Sequence, residues 1–223
     1  MTAGDRIYLD HAATSWPKSS AVLEAMNRYA TECGAAAGRG GYQAAAESDA
    51  IVAKVRREIA SLIHATEANC ISLHSNGTAA LNAGIQGILR SGDHVVSNAA
   101  EHNSVLRPLH ALAERGDIEL TVVATDARGH VDPAILIDAV RSETRLVTLT
   151  HASNVTGAVQ PVEIVAEALR EKQTLLMVDA AQTFGTLPID VTAGIDLLAA
   201  PGHKASGGPL GTGFLYVDPT IHA

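Results

Sequence analysis

Lys204 stands where a lysine needs a chemical reason. It lies in "LLAAPGHKASGGPLGTGFLY" (197–216), between an apolar run and a glycine-rich loop. A lysine in apolar surroundings holds its proton less tightly and becomes a usable nucleophile or base. Asp179 closes a second apolar run, "LLMVDAAQ", where a carboxylate is costly unless it is paired. It reads either as a cap or salt-bridge partner, or as the counter-ion of a buried cation such as a protonated pyridine nitrogen. "HSNGTAALN" (74–82) puts Gly77 and Thr78 at the opening of a helical pattern. That is a plain N-cap or an anion site, because free N–H groups and the helix dipole both favour a phosphate there. His102, in "EHNSVLRP", is either a satisfied loop histidine or a planar group able to stack on a ligand.

Together these groups suggest pyridoxal phosphate (PLP). That cofactor needs a Schiff-base lysine, an acid beside its ring nitrogen and a phosphate cradle.

The elements that must hold these groups are legible as an alternation. Six short runs, at 94–98, 118–124, 145–151, 174–180, 195–200 and 213–217, read as strands. Several are apolar at consecutive positions, as strands covered on both faces are. Helical patterns lie at 45–63, 78–89, 103–115, 133–141 and 161–171. In the first, Ile51, Val52, Val55, Ile59, Leu62 and Ile63 fall on one face. Asp132-Pro133 reads as an N-cap followed by proline at the first helical position. Residues 35–46 read as loop running into helix. The expected fold class is therefore α/β, a mostly parallel sheet with helices on both faces. Sites in such sheets gather at the C-terminal ends of strands. Asn154, Asp179, His102 and Lys204 all follow or end a strand.

Composition narrows the function. The 223 residues are 47% hydrophobic, enough for a sizeable core. A net charge of −8 with 3% aromatics argues against a nucleic-acid groove, a stacking platform or an anionic membrane as partner. No apolar run approaches the roughly 18 residues a membrane span needs, and no signal-peptide pattern opens the chain. Cys33 and Cys70 give neither a disulfide framework nor a metal spacing, and the ten histidines are scattered. A reducing, cytoplasmic setting and no metal site are expected.

The motifs "YLDHAATSWP", "GRGG", "NGTAALN", "EHNSVLRP", "THASNVTGAVQP", "VDAAQTFG", "GHK" and "GPLGTGFLYV" follow one another in order. With them the chain resembles the class V aminotransferase fold, and within it the cysteine desulfurase-like group. The resemblance implies a three-layer PLP-dependent transferase (fold type I) large domain. It makes Lys204 the Schiff-base lysine and a general acid/base. Asp179 would face the pyridine nitrogen, Gln182 the phenolic oxygen, and His102 the ring face. Gly77, Thr78 and His203 would hold the phosphate. Asn154 would lie by the ring and the substrate carboxylate, and Ala12 and Ala13 would form part of the substrate pocket wall. The implied reaction removes sulfur from L-cysteine, leaving alanine, in a homodimer. Other class V reactions (transamination, C–S or C–C lysis) use the same residues, and a chain that binds PLP without turnover is a third reading.

Three positions depart from the family pattern. Pro201 stands where many relatives have a serine that donates to the phosphate, Tyr42 where near relatives have histidine, and Ala79 where an acid is common. The resemblance also divides the chain into an N-terminal arm at 1–20 and a cofactor domain at 21–223. The family's C-terminal domain, with its carboxylate-gripping arginine and sulfur-accepting cysteine, is expected to be absent.

Overall fold

The computed structural model describes residues 7–221. Seven strands form one sheet: β1 (Ile71–His74), β2 (His94–Asn98), β3 (Glu119–Val123), β4 (Thr144–Thr150), β5 (Leu175–Asp179), β6 (Leu197–Pro201) and β7 (Gly213–Val217). Their order is β1-β7-β6-β5-β4-β2-β3. From β6 through β5, β4 and β2 to β3 every pairing is parallel. β7 runs antiparallel to both β6 and β1, so it alone opposes the rest. The consecutive apolar runs have the expected cause. All residues of β2 and β6 are buried, because helices cover both faces.

α3 (Gly77–Ile88) and α4 (Asn103–Glu114) cover one face. Ala80, Leu81, Ile85, Val105 and Leu109 pack there with Val95, Leu146, Met177 and Leu197. The other face carries α5 (Pro133–Asp138), α6 (Val162–Leu169) and the end of α2 (Gln43–Leu62). Leu136, Val165, Leu169 and Ile59 meet Val147, Leu149, Leu176 and Val178 there. This is the three-layer α/β architecture. As expected, Asp132 caps α5 by accepting from Ala134 N–H at 2.9 Å, with Pro133 behind it.

Two sequence expectations need correction. α1 (Ser20–Arg28), with the wide helical turn Tyr29–Cys33 after it, lies in a stretch read without a helix. The apolar face expected along 45–63 is buried mainly at its end: Ile59 and Ile63 are covered, but Ile51, Val55 and Leu62 are 47%, 40% and 60% exposed. Periodicity assigns a face without saying how far a neighbour extends along it. Cys70 ends a helical turn ahead of β1 and is half-buried.

A close approach brings the start of β7 to the C-terminal end of β1. A Cβ on Gly213, at the start of β7, would come within 2.6 Å of the Asn76 carbonyl carbon. The bare backbone lets β7 lie directly against the opening of α3.

Candidate active site

The strand ends converge as the alternating pattern requires. A cavity of about 210 Å³ opens beyond β5 and β6. Gly77, Thr78, His102 and Asn154 line it from the loops after β1, β2 and β4. Asp179, Gln182, His203 and Lys204 line it from the ends of β5 and β6. Ala12 and Ala13 are exposed and lie outside that lining, although the Ala12 carbonyl accepts from Gln182 Nε2 at 3.1 Å. A larger groove of about 820 Å³ runs between α3 and α4 and shares Thr78, His102 and Ser104 with the cavity. It has no lysine or carboxylate in its wall, so the reactive groups belong to the smaller space.

Lys204 and Asp179 are set against each other electrostatically. Burial lowers the Lys204 ammonium from its ordinary pKa, and the Asp179 charge opposes that shift. Asp179 is 4% exposed. Burial raises its pKa, while the Ala181 N–H, His102 and Lys204 pull it down. The Ala181 N–H donates to its Oδ1 at 2.8 Å, and no cation pairs with it within 4 Å among the described residues. One oxygen serves as a local cap and the carboxylate still faces the cavity. Lys204 is followed by the tight turn the glycines predicted, with Gly207 N–H donating to the Lys204 carbonyl at 2.9 Å.

The anion end is the start of α3. Asn76, not Thr78, caps this helix, its Oδ1 accepting from Ala79 N–H at 2.7 Å. Thr78 therefore keeps its hydroxyl for another partner, the Ser104 hydroxyl at 2.7 Å. A Cβ on Gly77 would lie 3.0 Å from Pro201 Cδ, so the cradle is closed by backbone and by the residue that replaces the family's serine. His102 caps α4: its Nδ1 accepts from Ser104 N–H at 3.1 Å. The structural role weighed for this histidine is real, and it coexists with a place in the cavity wall.

Sequence reasoning missed two further groups beside Ser104. Lys18 Nζ lies 2.7 Å from both Ser15 Oγ and the His203 carbonyl, and burial lowers its pKa. With Ser15 N–H on the same carbonyl at 3.0 Å, it fastens the N-terminal segment to the peptide ahead of Lys204. "TSWPK" carried polar donors close together but no clue to their acceptor. Glu101, immediately before His102, is buried at 7% exposure. Burial pushes its carboxyl well above the usual range and the Asp179 charge adds to that. Hydrogen bonds from Thr148, Thr150 and Asn98 oppose the shift, and Oε2 has no partner among the described residues.

A test follows for Glu101. The folded chain keeps a proton that the unfolded chain releases in the ordinary carboxylate range. Stability is then full below that range and falls as pH rises towards the folded pKa, by about 1.4 kcal/mol per pH unit between the two values. Glu101→Gln cannot ionise, so its stability relative to the parent should grow from acid to neutral pH. Asp179 titrates in both proteins, and losing the repulsion between the two carboxyls changes the difference in the same direction. Chemical denaturation across that range measures the difference, and a flat difference would mean that Glu101 is ionised in the fold.

Comparison with known proteins decides the family. The aminotransferase class-V family model matches residues 7–223. The chain belongs to the aminotransferase class-V family. A protein of Methanothermobacter thermautotrophicus named "Probable cysteine desulfurase" is 40% identical over 219 residues, 97% of this chain and 54% of that protein. The cysteine desulfurase IscS of Dictyoglomus turgidum is 33% identical, matching 97% of this chain and 56% of its own length. The apo cysteine desulfurase structure from Thermococcus onnurineus superposes with a TM-score of 0.88 at 29% identity, over 97% of this chain and 54% of that one. The structure titled "SspA in complex with cysteine" gives 0.85 at 30% identity, over 98% and 65%. The chain spans about half the length of the curated relatives it matches. Membership makes this an enzyme fold and implies PLP as cofactor. The donor set fits that group: a half-buried lysine with a lowered pKa, a buried carboxylate and a backbone-lined helix N-terminus share one cavity.

Proposed function

We propose that this chain carries the cofactor-binding part of a cysteine desulfurase, acting on L-cysteine to leave alanine and pass the sulfur to a thiol acceptor. The observation that carries the reading is Lys204 and Asp179 in one cavity, each shifted by burial towards its neutral form and each drawing the other back. The names of the cysteine desulfurase relatives and the cysteine-bound structural relative support the substrate.

Bound in the cavity, PLP supplies an electron sink for negative charge at the substrate's α- and β-carbons. The protein's residues do the rest. Lys204 would tether the cofactor and would carry protons at those two carbons, and its lowered pKa favours the free amine. Asp179 would hold a proton on the ring nitrogen. Gln182 has an amide hydrogen to spare for the phenolic oxygen beside its bond to Ala12. Gly77 and Thr78 would take the phosphate with His203, and His102 would cover the ring face. Asn154 sits where a substrate carboxylate would lie, and Ala12 and Ala13 border the entrance.

In this reading residues 1–20 form an arm and 21–223 the cofactor domain; residues 1–6 and 222–223 lie outside the described residues. The protein works as a homodimer. Neither Cys33 nor Cys70 lines the cavity, and burial raises the Cys70 thiol, so neither is assigned as the sulfur acceptor.

With PLP, L-cysteine and a reducing thiol present, alanine and sulfide should form in equal amounts. Pyruvate in place of alanine, from a folded and PLP-loaded chain, would assign a C–S lyase instead.

A further inference from the structure

We propose that Thr78, Ser104 and His102 form a hydroxyl relay, with Ser104 as the positioning residue, that reports occupancy of the anion end of the cavity to the imidazole. Thr78 Oγ1 lies 2.7 Å from Ser104 Oγ, and Ser104 Oγ lies 2.8 Å from His102 Nδ1. The direction of the relay follows from a third contact. Ser104 main-chain N–H donates to the same Nδ1 at 3.1 Å. An amide N–H cannot accept, so Nδ1 is an acceptor and the neutral ring carries its proton on Nε2. Ser104 Oγ must then donate to Nδ1, and Thr78 must donate to Ser104.

Each hydroxyl has one proton, and that makes the relay switchable. A phosphate at Gly77–Thr78 takes the Thr78 proton. Thr78 Oγ1 is then left as an acceptor, and the Ser104 hydroxyl turns to it. Nδ1 loses one of its two donors and keeps only the main-chain N–H. No bond between heavy atoms is made or broken. Ser104 is 8% exposed, so its hydroxyl chooses between the two partners it already touches, Thr78 Oγ1 and His102 Nδ1. The helices cannot drift apart to avoid the exchange: Asn82 Nδ2 donates to the Thr78 carbonyl at 2.9 Å and to the Ser104 carbonyl at 3.2 Å. Ser104 thus places the imidazole with Nε2–H as the ring edge the cavity can use, and couples its hydrogen bonding to the far end of the ligand. The switching rests on the phosphate site proposed above; the relay without ligand does not.

The test uses cofactor-free chain, uniformly labelled with ¹⁵N, and inorganic phosphate as the probe. Long-range ¹H–¹⁵N spectra of the His102 ring should show the Nε2–H form. On phosphate addition the Gly77 and Thr78 amides should shift, and Nδ1 should move downfield as it loses a donor. Ser104→Ala should begin with Nδ1 already downfield and show no further displacement when phosphate binds. Thr78→Ala should begin like the parent and also fail to respond. A proton on Nδ1, or identical Nδ1 positions in parent and Ser104→Ala before phosphate, would overturn the relay. Equal phosphate-induced displacements in both would overturn the switching. Unmoved Gly77 and Thr78 amides would overturn the phosphate site, and the switching with it, while the phosphate-free comparison still reads the relay.

Discussion

Lys204→Ala should release PLP on dialysis and lose turnover by at least about 10³-fold. General acid–base transfer alone is worth roughly 10²–10⁴-fold, and this substitution also removes the covalent tether. The loss should be specific to chemistry. Lys204 is half-buried and burial weakens its hold on its proton, so the fold gains little from its charge. Circular dichroism and the melting temperature should therefore stay close to the parent. Retained absorbance from bound cofactor after exhaustive dialysis of the variant would mean that another group holds it. Lys18 is the nearest alternative by position, but its ammonium is engaged by Ser15 and the His203 carbonyl.

Asp179→Asn should separate activity from stability. Asparagine can still accept from Ala181 N–H, so the local cap survives. It cannot hold a proton on a ring nitrogen, and turnover should fall by about 10²–10³-fold, the range for removing one preorganised electrostatic contact. The cofactor-free protein should become more stable at neutral pH. The raised pKa of Asp179 means that its ionised form is disfavoured in the fold, so stability is lost as pH rises from the ordinary carboxylate range through the folded value. The amide removes that loss. Melting temperatures at acid and neutral pH, measured beside steady-state turnover, check both halves. A variant that is inactive and also destabilised at neutral pH would make Asp179 a structural ion instead.

Six of the seven strands were legible because burial on both faces writes itself as consecutive apolar residues; β1, largely exposed, was not. β2 and β7 were read to the residue, and β3, β4, β5 and β6 within two. The antiparallel course of β7 was not legible, since strand direction depends on the path of the chain and not on composition. α1 escaped because its apolar residues Leu23 and Met26 are largely exposed, so no core pressure shaped its pattern. The eight residues assigned to the cofactor all line one cavity because each follows a strand end, and strand ends meet in this topology. Ala12 and Ala13 came from resemblance alone; neither lines the cavity, though the Ala12 carbonyl bonds Gln182, which does. Glu101, Ser104 and Lys18 were invisible for one reason: each acts through a partner far away in sequence. Lys18 bonds residue 203 and Ser104 bonds residue 78, and single-sequence patterns hold no such pairs.

The central claim is that Lys204 is the covalent anchor of a cofactor in this cavity. The most direct measurement is borohydride reduction of the full chain incubated with PLP, then peptide mapping by mass spectrometry. The account predicts one phosphopyridoxyl label per chain, on the peptide containing Lys204, with surface lysines unlabelled at stoichiometric cofactor. A label spread over several lysines, or held at Lys18 with Lys204 unmodified, would contradict it.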